Sequence, residues 1–333
     1  KKKIMTELSQ QDGFVFYQKP NDNEIHFISG TWVKIDLNAN PTLNGFIISN
    51  ADKSASFYLE GKAEFILSAY KLSLESSSPK RQELDKKNYL SKAELFINAC
   101  TKDMSKVVLS RIKKHPVING DIFQTYLNLC KEYNHSFNYL FNIPNEGTWM
   151  GATPETLIEG SAEKYTTVAL AGSKPLDNIN WKEKELDEQQ FVTNYIKEKL
   201  ESESINHQFN SNPETVTAGN IAHLKTTFNI QTNKTPLALA DLLHPTPAVC
   251  GIPQKKAQDF ILKNEGYNRE FYTGFLGIIN NTSCSLFVNL RCMQLFKNEY
   301  WIYVGGGITT NSNPYNEWEE TALKAQTLLN ILD

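Results

Sequence analysis

The order of apolar runs along this chain is the feature that most restricts its fold. Short runs rich in β-branched and aromatic residues follow one another with only polar segments between them, which is typical of strands. Helix-like segments occur, but they do not alternate regularly with these runs. Neighbouring strands without an intervening helix pair antiparallel. We therefore expect an α+β fold, a single large domain of mostly antiparallel β-sheet with helices packed outside.

Individual segments can be assigned from their periodicity. The strand-like runs include GFVFY (13–17), IHFISGTWVKID (25–36), KVVLSRI (106–112), SCSLFVNLRCMQLF (283–296) and YWIYVGGGI (300–308). Apolar periodicity predicts helices at 89–100, 120–133, 181–202, 253–264 and 314–332. The polar stretch 73–88 lacks periodicity and is predicted as a mobile connection or a surface loop. We divide the chain into 1–88, a β-rich N-terminal part of the same domain, and 89–333, the catalytic region.

Composition excludes several classes of partner. The 333 residues are 40% hydrophobic and carry a formal net charge of -3, so we expect no nucleic-acid or membrane partner but a small-molecule one. No apolar run approaches the roughly 18 residues of a membrane span, and the start, KKKIMTELSQ, lacks the apolar core of a secretion signal. The five cysteines form no CxxC pair, which indicates reduced thiols and a cytoplasmic protein.

Two acidic pairs suggest a metal site. Glu185 with Glu188 and Glu317 with Glu320 are each spaced i,i+3, so each pair lies on one face of a predicted helix. A solvated helix face is the ordinary explanation for such a pair. If the two helices faced each other, their four carboxylates would form an oxygen-rich site that suits Mg²⁺. Zinc is not expected, because the histidines and cysteines lack its ligand spacings.

A lysine, a glutamate and a triple glycine are further candidates. Lys106 begins an otherwise apolar strand; it either reaches solvent or, in a closed pocket, acts as a general base. Glu155, in GATPETLIEG, is either an exposed turn carboxylate or a pocket acid. The glycines 305–307 follow a strand and lack the phosphate-binding motifs. They form either a tight turn or a backbone surface that binds a carboxylate.

Ten blocks of sequence, in order, identify a resemblance to the chorismate-utilising enzymes, the family of anthranilate synthase component I. The resemblance covers about residue 89 to the end, and we place no motif in 1–88. The blocks are KVVLSR (106–111), GATPETL (151–157), ALAGS (169–173), KELDEQ (184–189), HLKT (223–226), LHPTPAVCG (243–251), REFYTG (269–274), NLR (289–291), GGGI (305–308) and EWEETALK (317–324).

Within this family the chain most resembles the isochorismate synthases. Members that use ammonia typically lack a lysine at the position of Lys106, and aminodeoxychorismate synthases typically carry a lysine where Ala171 stands. The resemblance therefore implies an isomerase that converts chorismate to isochorismate with water, needs no glutamine amidotransferase subunit, and is a monomer. Salicylate synthase, which also releases pyruvate, is the alternative within the family, and a catalytically inactive ligand-binding homologue is the alternative outside enzymes. We expect the pathway to be menaquinone biosynthesis, with siderophore synthesis and salicylate as the other options.

The resemblance also implies roles for the catalytic and metal residues. Lys106 would be the general base for a water that attacks C2 of chorismate, and Glu155 the general acid that protonates the C4 hydroxyl as it leaves. Mg²⁺ would hold the ring carboxylate, with Glu188 and Glu320 as direct ligands. Glu185 and Glu317 would position metal-bound waters.

The substrate-binding residues follow from the same resemblance. Arg291 and Tyr272 would hold the enolpyruvyl carboxylate, and the amides near Gly307 together with Lys324 would complete the anion site. His223 would lie near the ring carboxylate. The residues expected along the C4 side and the proline-stiffened wall 243–251 are Gly172, Ser173 and Thr246.

Three positions leave alternatives or depart from the family pattern. His244 is either a structural histidine or a substrate contact, and both remain open. Gln189 stands where most members have histidine, and Glu270 where many have glycine. Neither departure removes a proposed ligand or catalytic group.

Overall fold

The computed structural model describes residues 5–39, 41–65, 69–118, 120–218 and 221–332. Within these ranges the chain forms helices that pack on the outside of two large sheets. They are α1 Lys86–Ala99, α2 Ile122–Glu132, α3 Glu183–Ser202, α4 Pro236–Leu243, α5 Gln254–Asn264 and α6 Pro314–Leu332. No helix in the described ranges combines the length and apolarity needed to cross a bilayer.

The strands are short and follow the apolar runs. Those of the first part of the chain are β1 Met5–Ser9, β2 Phe14–Gln18, β3 His26–Ser29, β4 Trp32–Lys34, β5 Asn44–Ser49, β6 Ser56–Glu60, β7 Glu64–Phe65 and β8 Ala69–Ser73. The others are β9 Lys106–Pro116, β10 Phe137–Ile143, β11 Gly147–Thr153, β12 Thr156–Ser161, β13 Lys164–Pro175, β14 Asn206–Phe209, β15 Glu214–Ala218, β16 Ile221–Gln231, β17 Gly251–Ile252, β18 Phe275–Asn280, β19 Ser283–Val288, β20 Cys292–Leu295 and β21 Glu299–Ile308.

These strands form two large sheets and one small one. The nine-stranded sheet has the order β17-β9-β21-β20-β11-β10-β2-β3-β7. The ten-stranded sheet has the order β14-β16-β13-β12-β19-β18-β5-β6-β4, with β15 beside β16. Every pairing in the two large sheets is antiparallel, and β1 and β8 pair parallel. The predicted α+β class with a mostly antiparallel sheet is confirmed.

Side-chain alternation explains the layering. In β2, Val15 and Tyr17 point into a core that also holds Phe46 of β5, from the other sheet. Phe14 and Phe16 point the opposite way, into a core with residues of α2 and α6. Since side chains alternate faces along a strand, β2 is buried on both sides. The two sheets thus pack face to face, with helices against the outer faces.

Strands from both sides of the predicted boundary at residue 88 pair with each other. β2 pairs with β10 and β5 pairs with β18, so residues before 88 contribute to both large sheets. The boundary itself stays a prediction.

In the polar stretch 73–88, residues 74–85 form the surface loop that was one of the two predicted alternatives. This loop is anchored: the Lys297 amide donates to the Ser76 carbonyl, and Arg81 lies over the rings of Tyr267 and Trp301. The triple glycine is not a turn but lies within β21, in register with β9, as the strand-like run 300–308 indicated. Glycine has low strand propensity, which made a turn the alternative.

Candidate active site

A cavity of about 720 Å³, partly open to solvent, lies where the chain crosses between the two large sheets. Pairing between β20 and β21 extends as far as Tyr303, so in the described structure the end of β21 has β9 alone as a strand neighbour. The loop between β11 and β12 and the loop between β19 and β20 both cross from one sheet to the other here. The predicted residues that line the cavity are Glu155, Gly172, Glu188, His223, Tyr272, Arg291, Gly307, Glu320 and Lys324.

The triple glycine makes room for the functional side chains of this wall. A Cβ at Gly305 would lie 3.0 Å from the Tyr272 hydroxyl, and one at Gly306 would lie 3.3 Å from Glu317 Oε2. A Cβ at Gly307 would meet Glu188 Oε1 and would lie 2.6 Å from Lys106 Cε. Any larger residue would displace these groups, so the glycines are needed for the site and not for a turn.

Each of the four predicted metal-binding glutamates forms an ion pair with a lysine. The four pairs are Lys106–Glu188 at 2.8 Å, Lys174–Glu185 at 3.2 Å, Lys184–Glu317 at 2.6 Å and Lys324–Glu320 at 2.7 Å. Each carboxylate of the two pairs thus meets a lysine, and Lys184 of α3 links the two helices through Glu317 of α6. The shared metal site stays a prediction. Among the described residues, no three of these four glutamates bring carboxylate oxygens within 4.8 Å of one another.

The helices that carry these carboxylates are fixed by their ends and by β9. The Lys182 amide donates to Glu185 Oε2 at 2.9 Å, which caps the first turn of α3. Asn313 Oδ1 accepts from the amides of the first turn of α6. Arg111 of β9 lies 3.9 Å from the centre of the Trp318 ring and holds α6 against the sheet.

Electrostatics differ within the cluster. Burial raises the pKa of Glu188, but Lys106, Lys184 and Lys324 outweigh it and hold that pKa at about 2. Burial and the neighbouring Glu320 raise the pKa of Glu317 to about 7, despite Lys184. Glu317 Oε2 is buried and accepts no hydrogen bond from the described residues. An unpaired buried carboxylate oxygen next to other carboxylates fits the donor set of a hard divalent cation.

Glu155 has the opposite environment. It lies between β11 and β12, is 3% exposed, and its Oε1 has no hydrogen-bond partner among the described residues. Burial raises the pKa of its carboxyl to about 8, although Lys106 and Lys324 act against this shift. The carboxyl is therefore mostly protonated at pH 7 and can donate a proton into the cavity.

Two cationic groups and a phenol form the anion-binding side of the cavity. The Arg291 guanidinium is buried and donates from Nη1 to Thr327 Oγ1 at 3.0 Å; burial lowers its pKa to about 10, so it stays charged at neutral pH. Burial raises the pKa of Tyr272, which stays protonated. Lys324 Nζ donates to the Gly305 carbonyl at 3.0 Å as well as to Glu320. These donors suit a carboxylate ligand.

His223 and Gly172 lie together on the wall formed by the ten-stranded sheet. His223 Nδ1 donates to the Gly172 carbonyl at 2.8 Å, and burial lowers the pKa of this imidazole to about 3. The residue is thus neutral at physiological pH. Gly172 has φ +68°, and a Cβ there would lie 3.3 Å from Glu185 Cβ. The side chain of Ser173 lies outside the described part of the structure.

The proline-containing segment contributes to the wall through residues other than those expected. Ala248 and Val249 line the cavity, whereas Thr246 is buried elsewhere, so its predicted substrate contact has no support in the geometry. The segment is held by Arg269, which donates to the Val249 carbonyl at 2.9 Å and pairs with the buried Glu265. His244 is buried beside Phe275, and burial lowers its pKa to about 3.

Sequence reasoning missed Lys184. It lies inside the KELDEQ block, one residue before Glu185, and its ammonium interacts with Glu317, Glu320 and Glu188. Its i,i+4 spacing to Glu188 on the same helix was a signal in the sequence, but its 2.6 Å ion pair with Glu317 on α6 has no such signal. Gln189, five residues further along α3, donates from Nε2 to the Ala169 carbonyl and to Thr226 Oγ1, and these two hydrogen bonds tether α3 to β13 and β16.

Comparisons with known proteins show which family this chain belongs to. A family model described as chorismate binding enzyme matches residues 42–333, which extends the match upstream of the motifs. Isochorismate synthase EntC of Escherichia coli (strain K12) is 32% identical over 248 residues, 69% of this chain and 63% of that protein. Isochorismate synthase MenF of Bacillus subtilis (strain 168) is 28% identical over 316 residues, 87% of this chain and 65% of that protein. The chain thus spans less than two thirds of the length of these curated relatives.

A solved structure agrees with the fold. MenF, the menaquinone-specific isochorismate synthase from Escherichia coli, superposes with a TM-score of 0.79 at 21% identity, covering 98% of this chain and 90% of that one. This likeness supports the architecture of two antiparallel sheets with the cavity between them. Because the family model matches most of its length, the chain belongs to the family of chorismate binding enzymes.

Proposed function

We propose that this protein is an isochorismate synthase, an isomerase that adds water at C2 of chorismate and expels the C4 hydroxyl. The observation that carries the proposal is the buried Glu155 carboxyl, which is protonated at neutral pH and lines the cavity, while Lys106 lies directly behind Gly307 of another wall. Such a displacement needs one group that removes a proton and another that supplies one. The relatives named isochorismate synthase support the same reaction.

The proposed chemistry is balanced in atoms and protons. Lys106, in its neutral amine form, takes a proton from the attacking water as the new C2–O bond forms and the ring double bonds shift. Glu155 gives its proton to the C4 oxygen as that C–O bond breaks. One water is consumed and one is released, so the substrate is isomerised with no net change in composition.

Substrate orientation is assigned to the anion-binding side of the cavity. Arg291 and Tyr272 would hold the enolpyruvyl carboxylate, since a guanidinium offers two parallel donors and the phenol a third. Leu170 and Val249 line the same cavity and would exclude bulk water from the ring. His223 is neutral and held by the Gly172 carbonyl, so it would contact the ring carboxylate without adding a charge.

The carboxylate cluster is the proposed site of Mg²⁺. Glu188 and Glu320 would bind the ion directly, with Glu185 and Glu317 holding its waters. The unpaired Glu317 oxygen is the feature of this structure that fits such an ion. When bound, Mg²⁺ would neutralise and fix the ring carboxylate of the substrate.

The pathway we propose is menaquinone biosynthesis. The alignment with the Bacillus subtilis MenF extends over 87% of this chain, compared with 69% for EntC. Two complementation assays test this assignment. The protein should restore menaquinone in a bacterial strain that lacks its own MenF, and it should not restore catecholate siderophore in a strain that lacks EntC. The reverse pattern would reassign the protein to siderophore synthesis.

The reaction itself is tested with purified protein, chorismate and Mg²⁺, without ammonia and with or without EDTA. Isochorismate as the product, lost on chelation, supports the proposal. Salicylate with pyruvate would mean that the protein is a salicylate synthase. No product under any condition would mean that the cavity binds chorismate without turning it over.

A further inference from the structure

The carboxylate cluster is balanced by lysines in the absence of any metal. Four glutamates and four lysines form four ion pairs, so their formal charges cancel. A divalent cation that entered this set would leave it with two excess positive charges. Like charges at such distances repel strongly where water is scarce. Withdrawal of one lysine would relieve part of this repulsion when a divalent ion binds.

The four lysines differ in their freedom to move. Lys106 is 0% exposed and its Cε packs against Gly307, so its side chain has no path outward. Lys324 has a second hydrogen bond, to the Gly305 carbonyl. Lys174 pairs with Glu185, which also accepts the bond that caps α3. Lys184 is the most exposed of the four, at 25%, and it lies in the first turn of α3.

Lys184 also occupies the most central position. Its ammonium is 2.6 Å from Glu317 Oε1, and Glu320 and Glu188 are its next strongest electrostatic partners. These three carboxylates include both predicted direct metal ligands. A flexible four-carbon stem allows an ammonium to withdraw to solvent without movement of the backbone.

We propose that Lys184 is an internal cation of the carboxylate cluster, which neutralises Glu317, Glu320 and Glu188 when no metal is bound and withdraws to solvent when a divalent ion binds. Lys184 and the ion are thus competitors, and Lys184 sets the metal affinity of the site. The inference rests on the proposed metal site. Under this inference Lys184 controls metal binding and takes no part in the chemical steps of the reaction.

The test is calorimetric titration of Mg²⁺ into metal-free protein without chorismate, for the wild type, Lys184→Met, Lys184→Arg and Lys174→Met. We expect the Kd of Lys184→Met to fall by about tenfold or more, because the competing charge is gone. Lys184→Arg keeps a cation and should stay within about threefold of the wild type. Lys174→Met removes a lysine from the same cluster and should also stay within about threefold.

A second readout uses thermal unfolding and shows whether the variants are folded. Without metal, Lys184→Met should melt below the wild type, because Glu317 is fully buried and loses its partner. With saturating Mg²⁺ its melting temperature should rise by more than that of the wild type. Near-UV circular dichroism of each variant reports native packing before the titration.

Several outcomes would overturn the inference. An unchanged or weaker Mg²⁺ affinity in Lys184→Met would mean that Lys184 does not compete with the ion. An equal gain in Lys174→Met would reduce the effect to net charge. Isochorismate formation is measured in parallel, to separate this inference from the proposed function. If the wild type forms isochorismate, EDTA abolishes that activity, and the Mg²⁺ Kd of Lys184→Met is unchanged, then this inference is wrong while the proposed function stands. Absence of Mg²⁺ binding in all four proteins overturns it together with the proposed metal site.

Discussion

Two walls of one cavity hold the same type of side chain in opposite states. Glu155, between β11 and β12, and Glu188, on α3, both line the cavity; Glu155 is 3% exposed, and the Glu188 side chain is 15% exposed. The pKa of Glu155 is raised to about 8, whereas that of Glu188 is held at about 2. Burial raises both values, so burial does not explain the difference.

The difference lies in the lysines. Lys106 donates directly to Glu188 at 2.8 Å, with Lys184 and Lys324 also close to that carboxylate, whereas Lys106 and Lys324 reach Glu155 only through longer-range attraction. The cavity is therefore divided into a proton-donating wall and an anionic wall suited to a cation. Separating two carboxylates by their environments is a general way to assign acid and base roles in one site.

Removing Lys106 should have the largest effect, because it breaks the anionic wall. In Lys106→Gln we expect loss of the base, with turnover falling by about 10²–10⁴-fold. We also expect destabilisation by about 2 kcal/mol, because Glu188 keeps its place without its nearest partner. Retained turnover would exclude Lys106 as the base. Lys114→Gln, in the same strand and paired with Glu299 outside the cavity, is the matched control.

The same variant has a pH signature in stability. A depressed pKa in Glu188 stabilises the fold above the ordinary value of 4.5, and this stabilisation disappears as pH falls toward about 2. The gap in unfolding free energy between wild type and Lys106→Gln should therefore be largest at neutral pH and should narrow on acidification. Urea unfolding at several pH values measures this gap.

Replacing the acid on the opposite wall separates activity from stability. Glu155→Gln should lose about 10²–10⁴-fold in turnover yet unfold at a higher temperature. A carboxyl with a raised pKa favours folding below about 4.5, and this contribution is lost as pH rises through about 8. The gain should thus be small at pH 5 and reach about 4–5 kcal/mol at pH 8.5.

Calorimetry of this variant at both pH values provides the measurement. Glu159→Gln, an exposed glutamate of the following strand, is the control and should change neither property. A Glu155→Gln protein that turns over at the wild-type rate would remove this residue as the general acid.

The cation-binding side is tested by Glu320→Gln. Loss of one charged ligand should weaken the Mg²⁺ dependence of turnover by about 10–100-fold, as ligand changes at metal sites do. The measurement is the Mg²⁺ concentration that gives half-maximal turnover. If this concentration is unchanged, the metal site lies elsewhere. The same substitution at Glu319, which pairs with Lys86 on the exposed face of α6, serves as the control.

The protonation state of Glu155 also predicts a pH profile for the wild type. Below about pH 8 Glu155 holds its proton; above it the protonated fraction falls by about tenfold for each pH unit, which should appear as a downward break in the slope of kcat/KM near pH 8. His223 and His244, with pKa values of about 3, contribute no transition between pH 5 and 8. A profile that stays flat to pH 9.5 would contradict the raised pKa.

The sequence predicted those parts of the site that local spacing determines. The i,i+3 pairs place Glu185 with Glu188 and Glu317 with Glu320, each on one helix face. Alternation did not decide between solvent and a closed pocket for Lys106, which is fully buried. Spacing within one helix cannot reveal which side chain of another element meets it. That is why Lys184, which crosses from α3 to Glu317 on α6, was missed.

Other misses have a similar cause. The segment 243–251 lies at a wall of the cavity, as predicted. Which of its residues line the cavity depends on the path of the segment beneath Arg269, and Thr246 is not one of them. The helix α4 was missed because PLALADLL is short and apolar on most sides, so it lacks the contrast that a periodicity argument needs. Tertiary packing, rather than propensity, fixes both.

The smallest expected effect comes from a substitution at Glu270, which lies outside both walls of the cavity. Its φ is +51°, a left-handed conformation that costs a side-chain-bearing residue about 1–2 kcal/mol, and it stands where many members of the family have glycine. Burial also raises the pKa of this half-buried carboxylate.

Glu270→Gly should therefore stabilise the protein by about 0.5–1 kcal/mol, because relief of strain exceeds the greater chain entropy of glycine in the unfolded state. Thermal unfolding should shift upward by about 1–3 °C, whereas Glu75→Gly, at an exposed loop position outside the left-handed region, should shift it slightly downward. A decrease in Glu270→Gly would mean that the electrostatic attraction between the Glu270 carboxylate and Arg81 outweighs the backbone strain.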